Sequence, residues 1–387
     1  MVKNFEFVFP TRVRYGEGVL EELPEIVREY GKEKIFVVTD KGVREAGLVD
    51  LVVDILKKEG FDQISVFDEV DPNPRTTSVN RGAEIAKEFG AEILLAIGGG
   101  SPIDTAKGIG VLMTNEGIIE DYEGFFKVVN ELPPFVTIPT TVGTGSEVTE
   151  WAVITDLSRM FKMSVADTKL YPDVALLDPV MVAKLPAPIV ASTGMDALSH
   201  AIEGYVCKIS TPVADAIALY AIELIGENIL SAVYADDYEA KANLQLGSML
   251  AGIVISQTDV AGVHCMGEAL GGMYDTPHGI ANATILPYMM DYCAVAEADK
   301  YSRIAKALGI DTKNMGKMEA ARAAALAVKE LNDDLLIPTL KEVGANPEDF
   351  RLLSEKAEAN MSNEDNPRVA KAEDYYKMFV KAYEGKL

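Results

Sequence analysis

Short apolar runs alternate with amphipathic stretches along the first half of the chain. Three β-branched or aliphatic runs predict buried strands at Lys34–Asp40, Gln63–Phe67 and Ile93–Ile97. Between them, Val49–Lys58 and Val79–Phe89 carry apolar residues at three- and four-residue spacing, which predicts helices packed on a sheet. This alternation is typical of a parallel α/β sheet.

The pattern changes after about residue 186, where strand signals fade and long helical stretches follow. Pro186 and Pro188 mark the change, since proline ends a strand and can open a helix. We therefore expect an α/β domain over residues 1–185 and an all-α domain over residues 186–387. The clearest predicted helices of the second half are Val213–Ala235, Lys241–Ile255 and Lys317–Leu331.

Composition narrows the class of protein. The 387 residues carry a formal net charge of −24, which argues against a nucleic-acid backbone or an anionic membrane as partner. The amino terminus has no apolar segment typical of a signal peptide, and the uncharged run Ala242–Thr258 contains polar residues typical of a buried helix. The three cysteines, Cys207, Cys265 and Cys293, form no disulfide or zinc pattern, which favours a reducing, cytoplasmic location.

A glycine-rich turn follows the third predicted strand. Gly98–Pro102 joins that strand to a predicted helix over Ile103–Met113. Glycines at such a turn let a pyrophosphate approach the backbone N–H groups at the positive end of the helix. The segment does not match the G-x-G-x-x-G pattern, and a turn that uses glycine for steric reasons alone explains it equally well.

A second loop favours a nucleotide. Pro139–Ser146 is rich in threonine and glycine and follows the apolar run Phe135–Ile138. Asp40 ends the first strand, where a carboxylate can accept hydrogen bonds from an adenosine ribose and repel a 2′-phosphate. On that hypothesis NAD is preferred over NADP; the alternative is an ordinary helix-capping aspartate.

The only three histidines lie in the second half. Asp196 and His200 are spaced i, i+4 in a predicted helix, so that both side chains share one face, and His264 and His278 follow. One carboxylate and three imidazoles suit Fe(II) or Zn(II). The alternative is that these are hydrogen-bonded core histidines, which is the commoner role for any one of them taken singly.

Taken together, these motifs resemble the iron-containing, or group III, metal-dependent alcohol dehydrogenases. The resemblance covers essentially the whole chain. Its motifs are Phe9–Gly18, Val38–Asp40, Asn73–Pro74, Gly98–Lys107, Pro139–Thr149, Lys162–Met163, Gly194–Glu203, Asp275–Asn282 and Asn366–Arg368.

The resemblance implies a Rossmann-like sheet domain with an all-α domain, as in dehydroquinate synthase, and a homo-oligomer of dimer size or larger. It implies hydride transfer between NAD(H) and a short-chain primary alcohol, diol or aldehyde, with Fe(II) the expected ion and Zn or another divalent metal as alternatives. It assigns the metal to Asp196, His200, His264 and His278. It assigns the dinucleotide to Asp40, Asn73, Gly99, Gly100, Ser101, Thr140, Thr141, Thr144 and Lys162.

The chain departs from the family pattern at two positions. The family commonly has a second histidine four residues after the first, where this chain has Glu268, and often has L-P-H where this chain has Leu286–Tyr288. Glu268 is either a proton relay or a carboxylate paired with a neighbour. The only tryptophan, Trp151, either lines the substrate site or serves packing.

Two other classes of function are compatible with these patterns. The nearer is another NAD- and metal-dependent enzyme of this architecture, such as a glycerol dehydrogenase or a dehydroquinate synthase. The more distant is a non-catalytic protein that responds to nucleotide or metal. Aldehyde-dependent consumption of NADH distinguishes an enzyme from such a binding protein.

Overall fold

A computed structural model describes residues 4–159 and 161–387, and the chain divides into two compact units. One unit is Phe9–Leu185, and the other joins residues 4–8 to Pro186–Leu387. The sequence placed residues 4–8 with the α/β half. The structure places them with the helical unit, where the side-chain amide of Gln257 accepts from the N–H of Val8 (2.9 Å) and donates to its carbonyl oxygen (2.6 Å).

The first unit is an α/β domain. Its main sheet, within the described residues, has the strand order β1-β9-β6-β4-β2-β3, and every neighbouring pair is parallel. The strands of the unit are β1 (Arg12–Tyr15), β2 (Ile35–Val38), β3 (Ile64–Phe67), β4 (Ile93–Gly98), β5 (Gly124–Phe125), β6 (Phe135–Pro139), β7 (Trp151–Asp156), β8 (Phe161–Ala166) and β9 (Val174–Leu177). Its helices are α1 (Leu23–Glu29), α2 (Lys41–Glu45), α3 (Leu48–Lys58), α4 (Thr76–Phe89) and α5 (Gly100–Thr114).

The inner strands β9, β6, β4 and β2 of the main sheet are buried at every position, which explains their largely apolar sequences, whereas the edge strand β1 is mostly exposed. Side chains alternate between the faces along each strand. Ile35 and Val37 of β2 belong to one buried cluster, whereas Phe36 and Val38 belong to another. The fold class predicted from the sequence, a parallel sheet domain followed by a helical domain, is confirmed.

A smaller sheet was not predicted. It has the order β5-β8-β7, and β7 pairs with β8 in antiparallel register from Trp151 with Ala166 to Asp156 with Phe161. Consecutive strands joined by so short a connection can pair only in this direction. Strand β8 carries Lys162, one of the residues predicted to contact the cofactor.

The second unit is helical. Pro186 is the N-cap of its first helix and Pro188 lies in the first turn, as expected of proline at a helix start. The helices are α6 (Ala187–Val206), α7 (Pro212–Tyr234), α8 (Tyr238–Gln257), α9 (Gly262–Tyr274), α10 (His278–Ala294), α11 (Ala298–Ala307), α12 (Lys317–Asp334), α13 (Leu340–Val343), α14 (Phe350–Ala359) and α15 (Ala372–Glu384).

Helix α7 is long and apolar enough to cross a membrane when judged by length and composition alone. In the structure it packs against α6, α8 and α11 of the same unit. Its residues Ala218, Ile222, Ile225 and Ile229 are fully buried. Packing inside the helical unit therefore accounts for one apolar face of α7, while other apolar side chains of the helix, such as Tyr220, are exposed.

Candidate metal centre and cofactor-binding loops

The predicted cofactor residues of the α/β unit lie near the point where successive strands change from one side of β2 to the other. From β2 the chain goes outward to β3, then returns to the other side of β2 as β4. Asp40 follows β2 and Gly99 follows β4, so both lie at the carboxyl edge of two adjacent strands. Nucleotides bind at such a reversal point in open α/β sheets.

The two glycine-bearing loops approach each other closely. A Cβ on Gly99 would lie 2.9 Å from the side chain of Thr141, and a Cβ on Gly100 would lie 2.8 Å from that of Thr144. Gly99 is also the N-cap of α5, a helix of 15 residues. The absent side chains leave the N–H groups at this helix start open to an anion, so these residues fit a pyrophosphate.

The remaining predicted cofactor residues are linked to the same edge. The Ser101 hydroxyl donates to the Pro72 carbonyl (2.5 Å), and the Lys162 ammonium donates to the side-chain oxygen of Asn73 (3.3 Å). The backbone N–H of Thr140 donates to the Gly98 carbonyl (3.0 Å). The structure therefore brings the loop around Asn73 and the hairpin residue Lys162 to the two glycine-bearing loops.

Asp40 also caps a helix, which is the alternative to a role in cofactor binding. It is the N-cap of α2, and its carboxylate accepts a hydrogen bond from the Val43 N–H at 2.9 Å. A capping aspartate is held in one orientation at the strand end. Capping and ribose recognition are compatible, because a carboxylate has several acceptor positions.

A buried lysine that the sequence analysis left without a role joins the two loops. Lys107 of α5 is fully buried and donates to the Ser146 carbonyl (2.8 Å), the Ser146 hydroxyl (3.0 Å), the Thr149 hydroxyl (3.0 Å) and the Trp151 carbonyl (2.6 Å). One turn earlier, Asp104 accepts from the Ser146 hydroxyl (2.5 Å) and from the Val153 N–H (3.0 Å). This network holds the glycine turn and the threonine-rich loop together.

Burial shifts the pKa values of this network. Burial lowers the pKa of Lys107 to about 8, against the opposing effect of Asp104. Burial also raises the pKa of Asp104, although Lys107 and the Ser146 hydrogen bond oppose the rise. The carboxyl of Glu147, in the same loop, has its pKa raised by burial to about 7.

The candidate metal ligands come from three helices of the helical unit. Asp196 and His200 lie one turn apart on α6, His264 lies in the first turn of α9, and His278 is the first residue of α10. One ligand atom from each of the four lies within 4.8 Å of the others, and all but His278 are buried. Three imidazole nitrogens and one carboxylate oxygen converging at this spacing fit a divalent first-row metal.

Glu203 supports this cluster and was missed as a functional residue. Its Oε2 contacts Nδ1 of His264, and its Oε1 accepts from the Val263 N–H at 2.6 Å. A carboxylate at Nδ1 places the proton there, so that Nε2 presents its lone pair to the other ligands. The spacing Asp196, His200, Glu203 (i, i+4, i+7) is the sequence signal that identifies this residue.

The ligands shift one another's pKa values. Burial raises the pKa of Asp196, but the three imidazoles outweigh it and hold the pKa below its usual value. Burial lowers the pKa of His264, whereas Glu203 raises it, and the rise prevails. A proton therefore competes with a metal ion at His264 under acidic conditions.

The structure also shows the surroundings of three residues whose roles the sequence left open: Glu268, Tyr288 and Trp151. Glu268 lies one turn after His264 on α9, and its Oε2 accepts from the Asn360 side chain at 2.6 Å. Tyr288 is buried in α10, and burial raises the pKa of its hydroxyl to about 12. Trp151 makes an edge-to-face contact with Phe125, with ring centroids 5.3 Å apart.

Comparison with known proteins identifies the family. The family model described as iron-containing alcohol dehydrogenase matches residues 10–179, and that of the C-terminal region of the Fe-containing alcohol dehydrogenase family matches residues 190–383. A choline dehydrogenase of Bacillus subtilis is 39% identical over 388 residues, covering 99% of this chain and 96% of that protein. A 1,3-propanediol dehydrogenase of Citrobacter freundii is 37% identical over 385 residues, covering 98% and 99%.

Solved structures agree with this assignment. A crystal structure of a 1,3-propanediol oxidoreductase has a TM-score of 0.95 at 35% identity and covers 98% of this chain and 100% of its own. A sulfoacetaldehyde reductase from Bifidobacterium kashiwanohense, solved with NAD⁺, has a TM-score of 0.86 at 27% identity, with 99% of each chain covered. The chain belongs to the iron-containing alcohol dehydrogenase family and is an alcohol/aldehyde oxidoreductase.

Proposed function

We propose that this protein is an NAD-preferring, Fe(II)-dependent dehydrogenase of short-chain primary alcohols and diols that also reduces the corresponding aldehydes. The observation that carries the proposal is the cluster of Asp196, His200, His264 and His278, because four such ligands converging within 4.8 Å are suited to a catalytic metal. The named substrates of the relatives, such as 1,3-propanediol and choline, support a small alcohol.

The two units supply different parts of the chemistry. When bound, the ion supplies Lewis acidity that lowers the pKa of an alcohol hydroxyl, and NAD supplies the hydride acceptor. The loops at Gly99 and Thr141 bind the pyrophosphate, and Asp40 accepts hydrogen bonds from the adenosine ribose. Glu203 keeps the imidazole of His264 in the tautomer and orientation that a metal ligand needs.

Release of the alcohol proton requires an acceptor other than the ligand histidines. Glu268 lies one turn from His264, and we propose that it relays this proton while Asn360 orients it. Replacing Glu268 by Gln keeps the hydrogen-bonding shape and removes the proton acceptor. A relay predicts a changed pH profile of kcat, whereas an unchanged profile assigns Glu268 to packing.

The proposal also covers the state of the protein. We expect a homo-oligomer of dimer size or larger, as the family resemblance implies. The net charge of −24 and the three unpatterned cysteines further favour a cytoplasmic location without nucleic-acid or membrane partners. The measurement is the molar mass in solution by light scattering. A monomer at micromolar concentration would contradict the proposed homo-oligomer without contradicting the proposed activity.

The test of the activity combines metal analysis with an enzyme assay. Protein purified without oxygen is analysed for bound metals and assayed for NADH oxidation with short aldehydes, hydroxyaldehydes and lactaldehyde, and for NAD reduction with diols. We expect one iron per chain and turnover with NADH above that with NADPH. Asp196→Ala should lose the metal and at least about 10²-fold in kcat while its circular dichroism stays unchanged. Full turnover by this variant would refute the metal assignment.

A further inference from the structure

The side-chain amide of Asn282 lies among the candidate metal ligands. Its Nδ2 is 2.8 Å from Oδ1 of Asp196, 2.9 Å from Nε2 of His264 and 3.1 Å from Nε2 of His278. Asn282 is fully buried in the second turn of α10, one turn after His278. An amide nitrogen is a donor with two protons, and a carboxylate oxygen only accepts, so this orientation alone gives a hydrogen bond to Asp196.

Nothing else in the described residues explains this orientation. The other polar atom of the side chain, Oδ1, is buried and accepts no hydrogen bond from any described residue. It lies against Gly267 of α9, where a Cβ would come within 2.1 Å of it. A buried acceptor without a partner is unfavourable, so the contacts of Nδ2 with the ligands determine how the amide points.

These hydrogen bonds use the same lone pairs as a metal ion. Glu203 faces Nδ1 of His264, so the neutral ring carries its proton there and has a single lone pair, on Nε2. That lone pair accepts from Asn282 at 2.9 Å. It cannot accept this hydrogen bond and bind a cation at the same time, and the amide hydrogens would also repel the cation.

We propose that Asn282 is a competitor for the metal at its own site. In protein without metal, the amide satisfies the buried lone pairs of Asp196 and His264. On metal binding, the amide turns away and leaves these atoms to the ion. Asn282 therefore stabilises the metal-free form selectively and weakens metal affinity, which makes the ion exchangeable.

The test measures metal binding without NAD or alcohol. Protein is stripped with a chelator, and the dissociation constant for Zn²⁺ is determined by competition with a chromophoric chelator for the unaltered chain and for Asn282→Ala. We expect the Zn²⁺ dissociation constant to fall about tenfold in the variant, because the free energy of one hydrogen bond that competes with the ion corresponds to about that factor. We also expect the unfolding temperature to fall in the stripped variant and to change little in the Zn²⁺-loaded variant.

Asn332 provides a matched control. It is also a buried asparagine that donates to α10, through the Ala283 carbonyl (2.6 Å), and its Oδ1 likewise accepts no hydrogen bond from the described residues. Asn332→Ala should lower the unfolding temperatures of the stripped and loaded proteins equally and leave Zn²⁺ affinity unchanged. A constant for Asn282→Ala that is unchanged or higher would overturn the proposal.

A second measurement does not depend on the variant's folding. In a crystal structure of the Zn²⁺-loaded, unaltered protein, Nδ2 of Asn282 should lie beyond hydrogen-bond distance of Nε2 of His264. An amide that remains at 2.9 Å beside the bound ion would refute the competition. The inference rests on the proposed metal site: absence of Zn²⁺ binding by the unaltered chain would refute both, whereas one tightly bound Zn²⁺ with no effect of Asn282 would refute the inference alone.

Discussion

Oε2 of Glu203 contacts Nδ1 of His264, while Oε1 of the same carboxylate accepts from the backbone N–H of Val263. One side chain on α6 therefore holds both the ring and the backbone at the start of α9. Both residues are buried, with side-chain exposures of 3% and 4%. The pair couples the tautomer of a proposed metal ligand to the packing of two helices.

Replacing Glu203 by Gln should weaken metal binding by about 10- to 100-fold, the range found when a partner of a ligating histidine is changed. The carboxamide has one acceptor oxygen for the two donors that Glu203 now serves, so one of the two contacts is lost. The measurement is the Zn²⁺ dissociation constant of stripped protein. Glu223→Gln, on the exposed face of α7, is the control and should bind Zn²⁺ normally.

Asp40→Asn should shift cofactor use toward NADP. The substitution keeps an N-cap for α2, which Asp40 now provides through Val43, but removes the charge that repels a 2′-phosphate. We expect the ratio of kcat/KM for NADP to that for NAD to rise about tenfold. Asp40→Gly removes cap and charge together. If only the glycine variant changes the ratio, capping rather than charge is responsible.

Lys107→Met should separate the two cofactor loops. It removes four hydrogen bonds of a buried ammonium group and leaves the partly buried carboxylate of Asp104 without its cation, which costs about 3 kcal/mol in the free energy of unfolding. Affinity for NAD should fall about tenfold because the threonine-rich loop loses its attachment to α5. Denaturant unfolding and NAD titration measure the two effects. Lys87→Met, exposed on α4, should change neither.

Glu147 should make stability depend on pH. Burial raises the pKa of its carboxyl from 4.5 to about 7, so the folded chain binds this proton more tightly than the unfolded chain. The resulting stabilisation is complete below about pH 4.5 and is lost as the pH rises through about 7. Glu147→Gln, which resembles the protonated form, should match the unaltered protein at pH 4.5. At pH 8 it should be more stable by about 3 kcal/mol. Parallel stability curves over this range would contradict the prediction.

The boundaries of several elements followed directly from local patterns. The predicted helix Val79–Phe89 is observed as α4, three residues longer at its start, and the predicted strand Ile93–Ile97 is β4 with one further residue. α4 is buried at three- and four-residue spacing, whereas β4 is buried at every position, and both patterns are local properties of the chain. The hairpin of β7 and β8 was missed because its pairing depends on a partner strand, not on either strand alone.

Local sequence patterns were enough to predict the fold class and the glycine turn, and they contain the spacing of Asp196, His200 and Glu203. Strand and helix periods place residues on faces without knowledge of the rest of the chain. Which distant residues come into contact depends on the tertiary structure: Glu203 with His264, Lys107 with the loop at Ser146, and Asn282 with three candidate ligands. Such contacts join residues far apart in the chain, and their partners are selected by packing and by the need to satisfy buried polar groups. No local pattern carries that information.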